Sequence, residues 1–323
     1  MSKSGKNILK RLSLSLGVLS AFSFAAGAVI TNQVLGRTVY NRAKKRNENE
    51  LSKETSNPHE ALRRERGLWY KSIAPESVSI NNRAGERIHA KIITAKNETP
   101  VWVICIHGYT SEPYGMAAYA YEFFEMGYNL LLPDMRGHAD SEHNYIGMGW
   151  LDRLDIIDWI FYLIENNPDV KIILHGVSMG AATVMMVTGE NLPFNVKCAV
   201  EDCGYSSVIE EFSHVLSNDY KVPKMPGNLA LSGISKVARL LAGFDFKNAS
   251  SIEQLKKSKT PTLFIHGTQD KFVPFSMLDK VYEAAACEKQ KLEIEDATHA
   301  NAHLVNPQLY WNTVREFIQK HID

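Results

Sequence analysis

Hydrophobic and polar positions follow two different periods along this 323-residue chain. After Pro75, two runs with alternating polar residues flank an Asn-Asn-Arg-Ala-Gly-Glu turn, which is typical of an antiparallel hairpin. Six further strand-like runs, most of them continuously apolar, then alternate with segments of helical length. These runs are VWVICIHG, NLLLPD, KIILHG, KCAVED, TPTLFIHG and KLEIED. The order predicts an α/β fold with one mostly parallel sheet, helices on both of its faces, and the hairpin at its start.

The regular alternation is interrupted once, between Asp202 and Thr262. This stretch contains many apolar and aromatic residues but no strand-like run of its own. Two prolines within it would break a long helix. We therefore predict short apolar helices inserted into the α/β domain at about residues 205–250.

The N-terminal region differs in kind from the rest of the chain. No charged residue occurs between Arg11 and Arg37, and this run is long enough for a helix to cross about 30 Å of hydrocarbon. We predict one N-terminal transmembrane helix within residues 1–36, with the protein anchored in the cell membrane. Both flanks are basic, so the orientation stays open; the extracytoplasmic side is favoured for the main domain. The alternative is a signal peptide cleaved near Ala26-Gly27-Ala28 and a secreted protein.

Charge and cysteine content narrow the remaining possibilities. Residues 37–75 are dense in Lys, Arg, Glu and Asn, which predicts a solvated juxtamembrane linker or helix before a domain at 76–323. The chain carries 36 basic and 36 acidic residues, so no overall field favours nucleic acid. Its four cysteines form no Cys-x-x-Cys pair, which indicates neither a disulfide framework nor a zinc site. No obligate protein partner is indicated.

Polar residues follow the carboxyl ends of several strands, where open parallel sheets bind their ligands. Gly176-Val177-Ser178-Met179-Gly180 lies between a predicted strand and a predicted helix, at a turn that would expose a serine hydroxyl. Such a hydroxyl becomes a nucleophile only when a base removes its proton. Asp270 in HGTQDKFVP and His299 in EDATHANAH follow later strands, in the order Ser, Asp, His. These three residues are the predicted catalytic set.

Each of these assignments has an alternative. Ser178 could be a structural turn residue. His303 lies in the same loop as His299 and competes with it for the role of base. Asp202 also follows a strand and competes with Asp270 for the role of acid. His107 and His266 are expected to order their own loops.

Together, these motifs resemble the α/β-hydrolase superfamily, and in particular its membrane-anchored bacterial serine hydrolases, over about residues 77–323. The resemblance implies the α/β-hydrolase fold, a nucleophile elbow at Ser178, His299 as general base, and Asp270 as the carboxylate that orients it. HGYT resembles the oxyanion loop of the family, which implies an oxyanion hole formed by the backbone N–H groups of Tyr109 and Met179. The inserted helices fall where the family carries its cap. The cap residues that could contact substrate are Tyr205, Phe212 and Tyr220.

The expected activity is carboxylesterase-like hydrolysis of a small or medium apolar ester through an acyl-enzyme, without a metal or other cofactor. A prolyl-oligopeptidase-like peptidase, a thioesterase and an acyltransferase would use the same triad. A non-catalytic binding scaffold is the least favoured alternative, because serine, histidine and acid are all present. The expected partners are a small-molecule ester and the membrane. Deletion of residues 1–46 is expected to leave a soluble and active enzyme.

Overall fold

The computed structural model describes residues 25, 27–51, 57–218 and 220–322. Within them, eight strands form one sheet in the order β1-β2-β4-β3-β5-β6-β7-β8. The strands are β1 Glu76–Asn81, β2 Arg87–Ile93, β3 Val101–Ile106, β4 Asn129–Pro133, β5 Lys171–Val177, β6 Val196–Asp202, β7 Thr262–Gly267 and β8 Lys289–Ile294. β2 pairs antiparallel with β1 and β4, and the remaining pairs are parallel. The predicted mostly parallel sheet with an antiparallel hairpin at its start is confirmed.

Helices lie on both faces of this sheet, and others form the insertion between β6 and β7 and the N-terminal region. The α-helices with assigned bounds are α1 Arg37–Leu51, α2 Pro58–Ile73, α3 Ala117–Glu125, α4 Asp152–Asn166, α5 Met179–Thr188, α6 Val208–Asn218, α7 Lys224–Leu241, α8 Ser251–Leu255, α9 Ser276–Ala284, α10 Ala302–Val305 and α11 Pro307–Ile322. Alternate side chains of β3 enter two separate apolar clusters, with Ile104 and Ile106 in one and Val103 and Cys105 in the other. Burial on both faces explains why the central strands are continuously apolar.

The insertion between β6 and β7 contains two longer helices, α6 and α7, and we call residues 205–250 the cap. In the cap, the Phe212 and Phe246 rings meet edge to face with centroids 5.1 Å apart, and Phe246 belongs to the same apolar cluster as one face of the sheet. A bridge between Ser207 and Ser250 closes the base of the cap. The predicted helical insertion is therefore present, and Phe212 packs within it.

A stretch near the N-terminus packs on the domain; we call residues 27–45 the N-terminal segment. Its first part is helical and continues into α1. Leu35 is fully buried and Tyr40 is 2% exposed, and the Ile146 N–H donates to the Leu35 carbonyl at 2.7 Å. The Arg37 guanidinium donates to two backbone carbonyls of the loop after β4. Residues 37–51 and 58–73 are helices, which agrees with the helix alternative for residues 37–75, and buried Tyr40 and Tyr70 show that these helices pack on the domain and are not fully solvated.

The predicted membrane anchor falls mainly on residues 1–24, which lie outside the described residues. Among the residues that are described, no helix has both the length and the apolar character needed to span a bilayer.

Candidate active site

The serine of the Gly-x-Ser-x-Gly motif occupies a strained turn between β5 and α5. Ser178 has φ 59° and ψ −117°, a conformation that costs a non-glycine residue about 1–3 kcal/mol. The flanking glycines are required by packing. A Cβ on Gly180 would lie 2.0 Å from the Ile106 carbonyl oxygen, and one on Gly176 would lie 2.3 Å from the Gly180 carbonyl oxygen. Close approach of strand and helix therefore explains the motif and places the serine at the carboxyl end of the sheet.

The three residues predicted from the sequence are joined by hydrogen bonds. His299 Nε2 lies 2.9 Å from Ser178 Oγ, and His299 Nδ1 lies 2.7 Å from Asp270 Oδ2. A carboxylate can only accept, so Nδ1 carries the proton and Nε2 is left to accept from the serine hydroxyl. The loops after β5, β7 and β8 supply the nucleophile, the acid and the base, in that order, and bring them into one hydrogen-bonded line.

The Asp270 carboxylate is held on both of its oxygen atoms. Oδ1 accepts from the backbone N–H groups of Phe272 and Val273 at 2.9 and 3.1 Å, and His266 Nε2 lies 3.3 Å from Oδ2. Burial alone would raise the pKa of Asp270, but hydrogen bonds from His266 and His299 lower it to about 2. The group is therefore ionised at neutral pH. The sequence did not show that His266 would be a second partner of the acid.

Asp202, the alternative acid, has different partners. Its side chain is fully buried and accepts hydrogen bonds from the hydroxyls of Tyr310 at 3.0 Å and Tyr119 at 3.4 Å. Burial raises its pKa to about 6. Its backbone carbonyl accepts from the Ser178 N–H at 2.8 Å, so Asp202 supports the turn on which the serine sits.

His303, the alternative base, points into an aromatic cluster. It is 4% exposed, and its ring centroid lies 4.1 Å from that of Tyr119. Neither of its ring nitrogens has a hydrogen-bond partner among the described residues. Burial lowers its pKa well below the usual value. The structure therefore places His303 in the core as a neutral ring.

His175 on β5 is a second buried histidine of this cluster, and its protonation should govern part of the acid stability. Burial lowers its pKa from 6.5 to about 3. As the pH falls below about 6.5, His175 binds a proton in the unfolded chain but stays neutral in the folded protein, so the free energy of unfolding decreases. We expect the wild type to lose about 2 kcal/mol relative to His175→Phe between pH 8 and pH 5. Urea unfolding of both proteins at both pH values tests this, and equal losses would contradict it.

Two further histidines hold the loop that follows β3. The Met135 N–H donates to His107 Nε2 at 3.2 Å, and the Thr110 N–H donates to His138 Nε2 at 3.0 Å. Accepting at Nε2 requires a neutral ring, and burial keeps both rings neutral by lowering the pKa of His107 to about 4 and the pKa of His138 well below its usual value. His138 was not predicted from the sequence, although its RGHADS motif follows a buried strand directly.

The backbone N–H groups of Tyr109 and Met179 are the predicted oxyanion donors. Met179 follows Ser178, and Gly108 brings the loop so close that a Cβ on it would lie 3.3 Å from Ser178 Cβ. In the described part of the chain neither N–H has a backbone partner, so both are available to a ligand. The Tyr109 hydroxyl donates to the Val34 carbonyl at 2.5 Å. The N-terminal segment therefore supports this loop from outside.

The aromatic residues around the site differ in part from those predicted. Phe272, which the sequence analysis did not select, lies beside His299 with ring centroids 4.9 Å apart and is 48% exposed. Tyr205 is 2% exposed, and its hydroxyl donates to the Met148 carbonyl at 3.0 Å, so it is a core residue. Tyr220 is 71% exposed. Phe272 lies two residues after Asp270, and that position was the signal in the sequence that could have identified it.

One group of three possible metal ligands occurs among the described residues. Cys203 Sγ and the ligand atoms of Asp270 and His299 lie within 4.8 Å of one another. Both ring nitrogens of His299 already form hydrogen bonds. A metal ion bound by His299 would therefore displace Ser178 or Asp270 from it.

Comparisons with known proteins place this geometry in context. The profile of the family described as "alpha/beta hydrolase fold" matches residues 101–248. The uncharacterized protein YqkD of Bacillus subtilis is 25% identical over 96% of this chain and 97% of its own length. The thermostable monoacylglycerol lipase of Bacillus sp. is 20% identical over 69% of this chain and 92% of the lipase. The structure of the Pyrococcus furiosus esterase Pf2001 superimposes with a TM-score of 0.62 and 23% identity, covering 79% of this chain and 96% of the esterase.

Proposed function

We propose that this enzyme, a hydrolase with the α/β-hydrolase fold, cleaves carboxylic esters through an acyl-enzyme formed on Ser178. The observation that carries the proposal is the hydrogen-bonded line from Ser178 through His299 to the ionised Asp270. The monoacylglycerol lipase among the sequence relatives supports an ester as the bond that is cleaved.

Acylation follows from the positions of these atoms. His299 Nε2 accepts the Ser178 proton as Oγ attacks the ester carbonyl, and the ring becomes positively charged. Asp270 stabilises that charge across the 2.7 Å contact with Nδ1. The negative charge on the carbonyl oxygen is received by the N–H groups of Tyr109 and Met179, and each such donor contributes about 10²–10³ in rate. His299 then donates its proton to the departing alkoxide.

Deacylation repeats the sequence with water as the nucleophile. His299 removes a proton from the water as it attacks the acyl-enzyme, and a second tetrahedral intermediate forms at the same two N–H groups. Its collapse releases the carboxylic acid and returns the proton to Ser178 Oγ. The same residues serve both halves because the base is regenerated between them.

A matched set of substrates tests the choice of an ester. We expect p-nitrophenyl esters of increasing chain length to be hydrolysed with a higher kcat/KM than the p-nitroanilide or the alkyl thioester of the same acyl group. The p-nitrophenoxide leaves more readily than an alkanethiolate or a p-nitroanilide anion, and the cap supplies apolar surface for the acyl chain. A preference for the anilide would replace the esterase by a peptidase, and a preference for the thioester would replace it by a thioesterase.

A membrane location forms part of the same proposal. The apolar and uncharged residues 12–26 support it, because they precede the segment that packs on the domain and their composition favours hydrocarbon over water. The small apolar ester and the lipid surface would then be the two partners of the enzyme.

Two deletions separate this anchor from the N-terminal segment. Deleting residues 1–24 leaves the contacts of Leu35, Arg37 and Tyr40 in place, and we expect kcat/KM for a soluble ester to stay within about twofold of wild type. Deleting residues 1–46 removes buried Leu35 and Tyr40 and the Val34 carbonyl that holds Tyr109. The loss of two large buried side chains should cost about 4 kcal/mol or more in the free energy of unfolding.

We expect the longer deletion to lower both the melting temperature and kcat/KM, which reverses the expectation from the sequence. Thermal unfolding and ester hydrolysis of the two deletion variants measure this. Tyr109→Phe is the matched point variant, since it removes only the hydroxyl that donates to Val34. If the 1–46 deletion retained full activity and stability, the N-terminal segment would have no part in supporting the site.

A further inference from the structure

Basic residues are concentrated in two stretches of the chain. Two stretches carry basic residues and no acidic ones, although the chain as a whole has 36 of each. In residues 27–46 the described basic side chains are Arg37, Arg42, Lys44 and Lys45, of which Arg37 binds backbone carbonyls and Lys44 pairs with Glu112. In residues 220–242 they are Lys221, Lys236 and Arg239. The first stretch is essentially the N-terminal segment, and the second contains α7 of the cap.

The two basic stretches lie against each other. Gly27 packs on α7 so closely that a Cβ there would lie 2.8 Å from Val237 Cγ2. Both stretches also approach the oxyanion loop. The Tyr109 hydroxyl donates to the Val34 carbonyl, and its pKa is raised to about 12 by burial, with a smaller contribution from nearby Tyr220. The cap and the N-terminal segment therefore form one surface beside the site.

This surface also exposes large apolar side chains. Leu229 and Leu240 are 69% and 72% exposed. Eleven residues are about three turns of helix, so both project from the same side of α7, with exposed Lys236 between them. Val29 of the N-terminal segment is 55% exposed, and Tyr220 is 71% exposed. We call this combined surface, formed by residues 27–30, Tyr220 and the exposed side of α7, the cap face.

We propose that the cap face docks on an anionic lipid bilayer, so that the entrance of the active site lies at the membrane surface. Helices that combine exposed Leu with Lys and Arg bind at such interfaces, because apolar side chains enter the acyl boundary while the cations pair with headgroups. A second copy of the chain is a poor occupant, since it would set one basic surface against another. Delivery of an ester directly from the lipid phase would follow, and that consequence alone rests on the proposed function.

The test measures the environment of the cap in the full-length protein. An environment-sensitive fluorophore is attached at Leu240→Cys in a Cys287→Ser background, because the other three cysteines are buried. The protein is reconstituted in phosphatidylcholine vesicles with and without phosphatidylglycerol, some carrying a lipid-attached quencher. Phe194→Cys is the matched control. Phe194 is 79% exposed but lies just before the start of β6, at the amino ends of the parallel strands, whereas the site lies at their carboxyl ends. We expect a blue shift and quenching at position 240, stronger with phosphatidylglycerol, and neither at position 194.

Several outcomes would overturn the proposal. A label at position 240 that stays in an aqueous environment shows an enzyme that is at most tethered, with its cap away from the lipid. A shift that depends on protein concentration and needs no lipid shows contact between copies. Lys236→Glu combined with Arg239→Glu should reduce the shift in phosphatidylglycerol vesicles, and no reduction would contradict the role of charge. Because the readout does not involve hydrolysis, it can be repeated with Ser178→Ala, and its result is independent of the proposed reaction.

Discussion

Replacing Ser178 by alanine is expected to reduce kcat for ester hydrolysis by a factor on the order of 10⁵ or more while the protein stays folded. The substitution removes the hydroxyl that hydrogen-bonds to His299 Nε2 and leaves no group at this position that can carry the acyl chain. Alanine also relieves no packing constraint, because the strain at this turn is in the backbone. Stopped assays with a p-nitrophenyl ester measure turnover, and circular dichroism with thermal unfolding measures the fold.

A fluorophosphonate probe provides an independent readout, because it phosphonylates only an activated serine. Wild type should be labelled and Ser178→Ala should not. Ser213→Ala is the matched control, since Ser213 lies in the cap and its hydroxyl donates to Asn228; this variant should be labelled like wild type. Labelling of Ser178→Ala, or turnover near the wild-type rate, would remove Ser178 from the role of nucleophile.

Asparagine at position 270 is expected to lower kcat by about 10³–10⁴. The carboxylate accepts from His299 Nδ1 and from two backbone N–H groups. An amide of the same shape presents an NH₂ group to one of these donors, and the ring then takes the tautomer with its proton on Nε2, which cannot accept from Ser178. The imidazolium formed during attack also loses its counter-charge.

Asp202→Asn is the matched comparison, since Asp202 is equally buried and also follows a strand. Its partners are the hydroxyls of Tyr119 and Tyr310, which can rotate to suit an amide, so we expect kcat to change by less than about tenfold. Ester hydrolysis by both variants, with their melting temperatures, measures the difference. If Asp202→Asn were the inactive variant and Asp270→Asn the active one, the acid would be Asp202.

The architecture was predictable from local patterns because most of its strands are buried on both faces. A parallel strand between two layers of helices must be apolar at nearly every position. The strands β3 to β7 are therefore nearly continuous apolar runs, whereas a surface helix has apolar residues only on one face. The hairpin of β1 and β2 was visible for the opposite reason. Its strands lie at one end of the sheet, where polar and apolar positions alternate around a turn.

The line of three hydrogen-bonded side chains was also predictable, since each follows a strand end and parallel strands end at one edge of the sheet. The choice between Asp270 and Asp202 was not, because both satisfy that rule. Their difference depends on which neighbours each carboxyl group meets, and Tyr119 and Tyr310 come from distant helices. His138 was missed for the same reason, and so was the contact of His266 with Asp270, although His266 also orders its own loop through the Val273 carbonyl as predicted.

The N-terminal segment could not be assigned from its own residues. Its buried Leu35 and Tyr40 are few and are separated by polar and charged positions, so no apolar period marks them. The partners of Arg37 lie 102 and 104 residues away in the chain, and contacts of that range leave no local signal. Tyr205 was predicted to contact substrate because it lies in the insertion, but an aromatic residue of an insertion can also belong to the core beneath it.

The separation of the three reacting groups along the chain has a consequence for synthesis. Ser178 and His299 are 121 residues apart, and the strand and loop that carry the histidine are translated well after the serine turn. The Ser178 hydroxyl has no base until that loop has been made and has folded against it. Every chain that stalls or is cut before β8 therefore carries an unactivated serine.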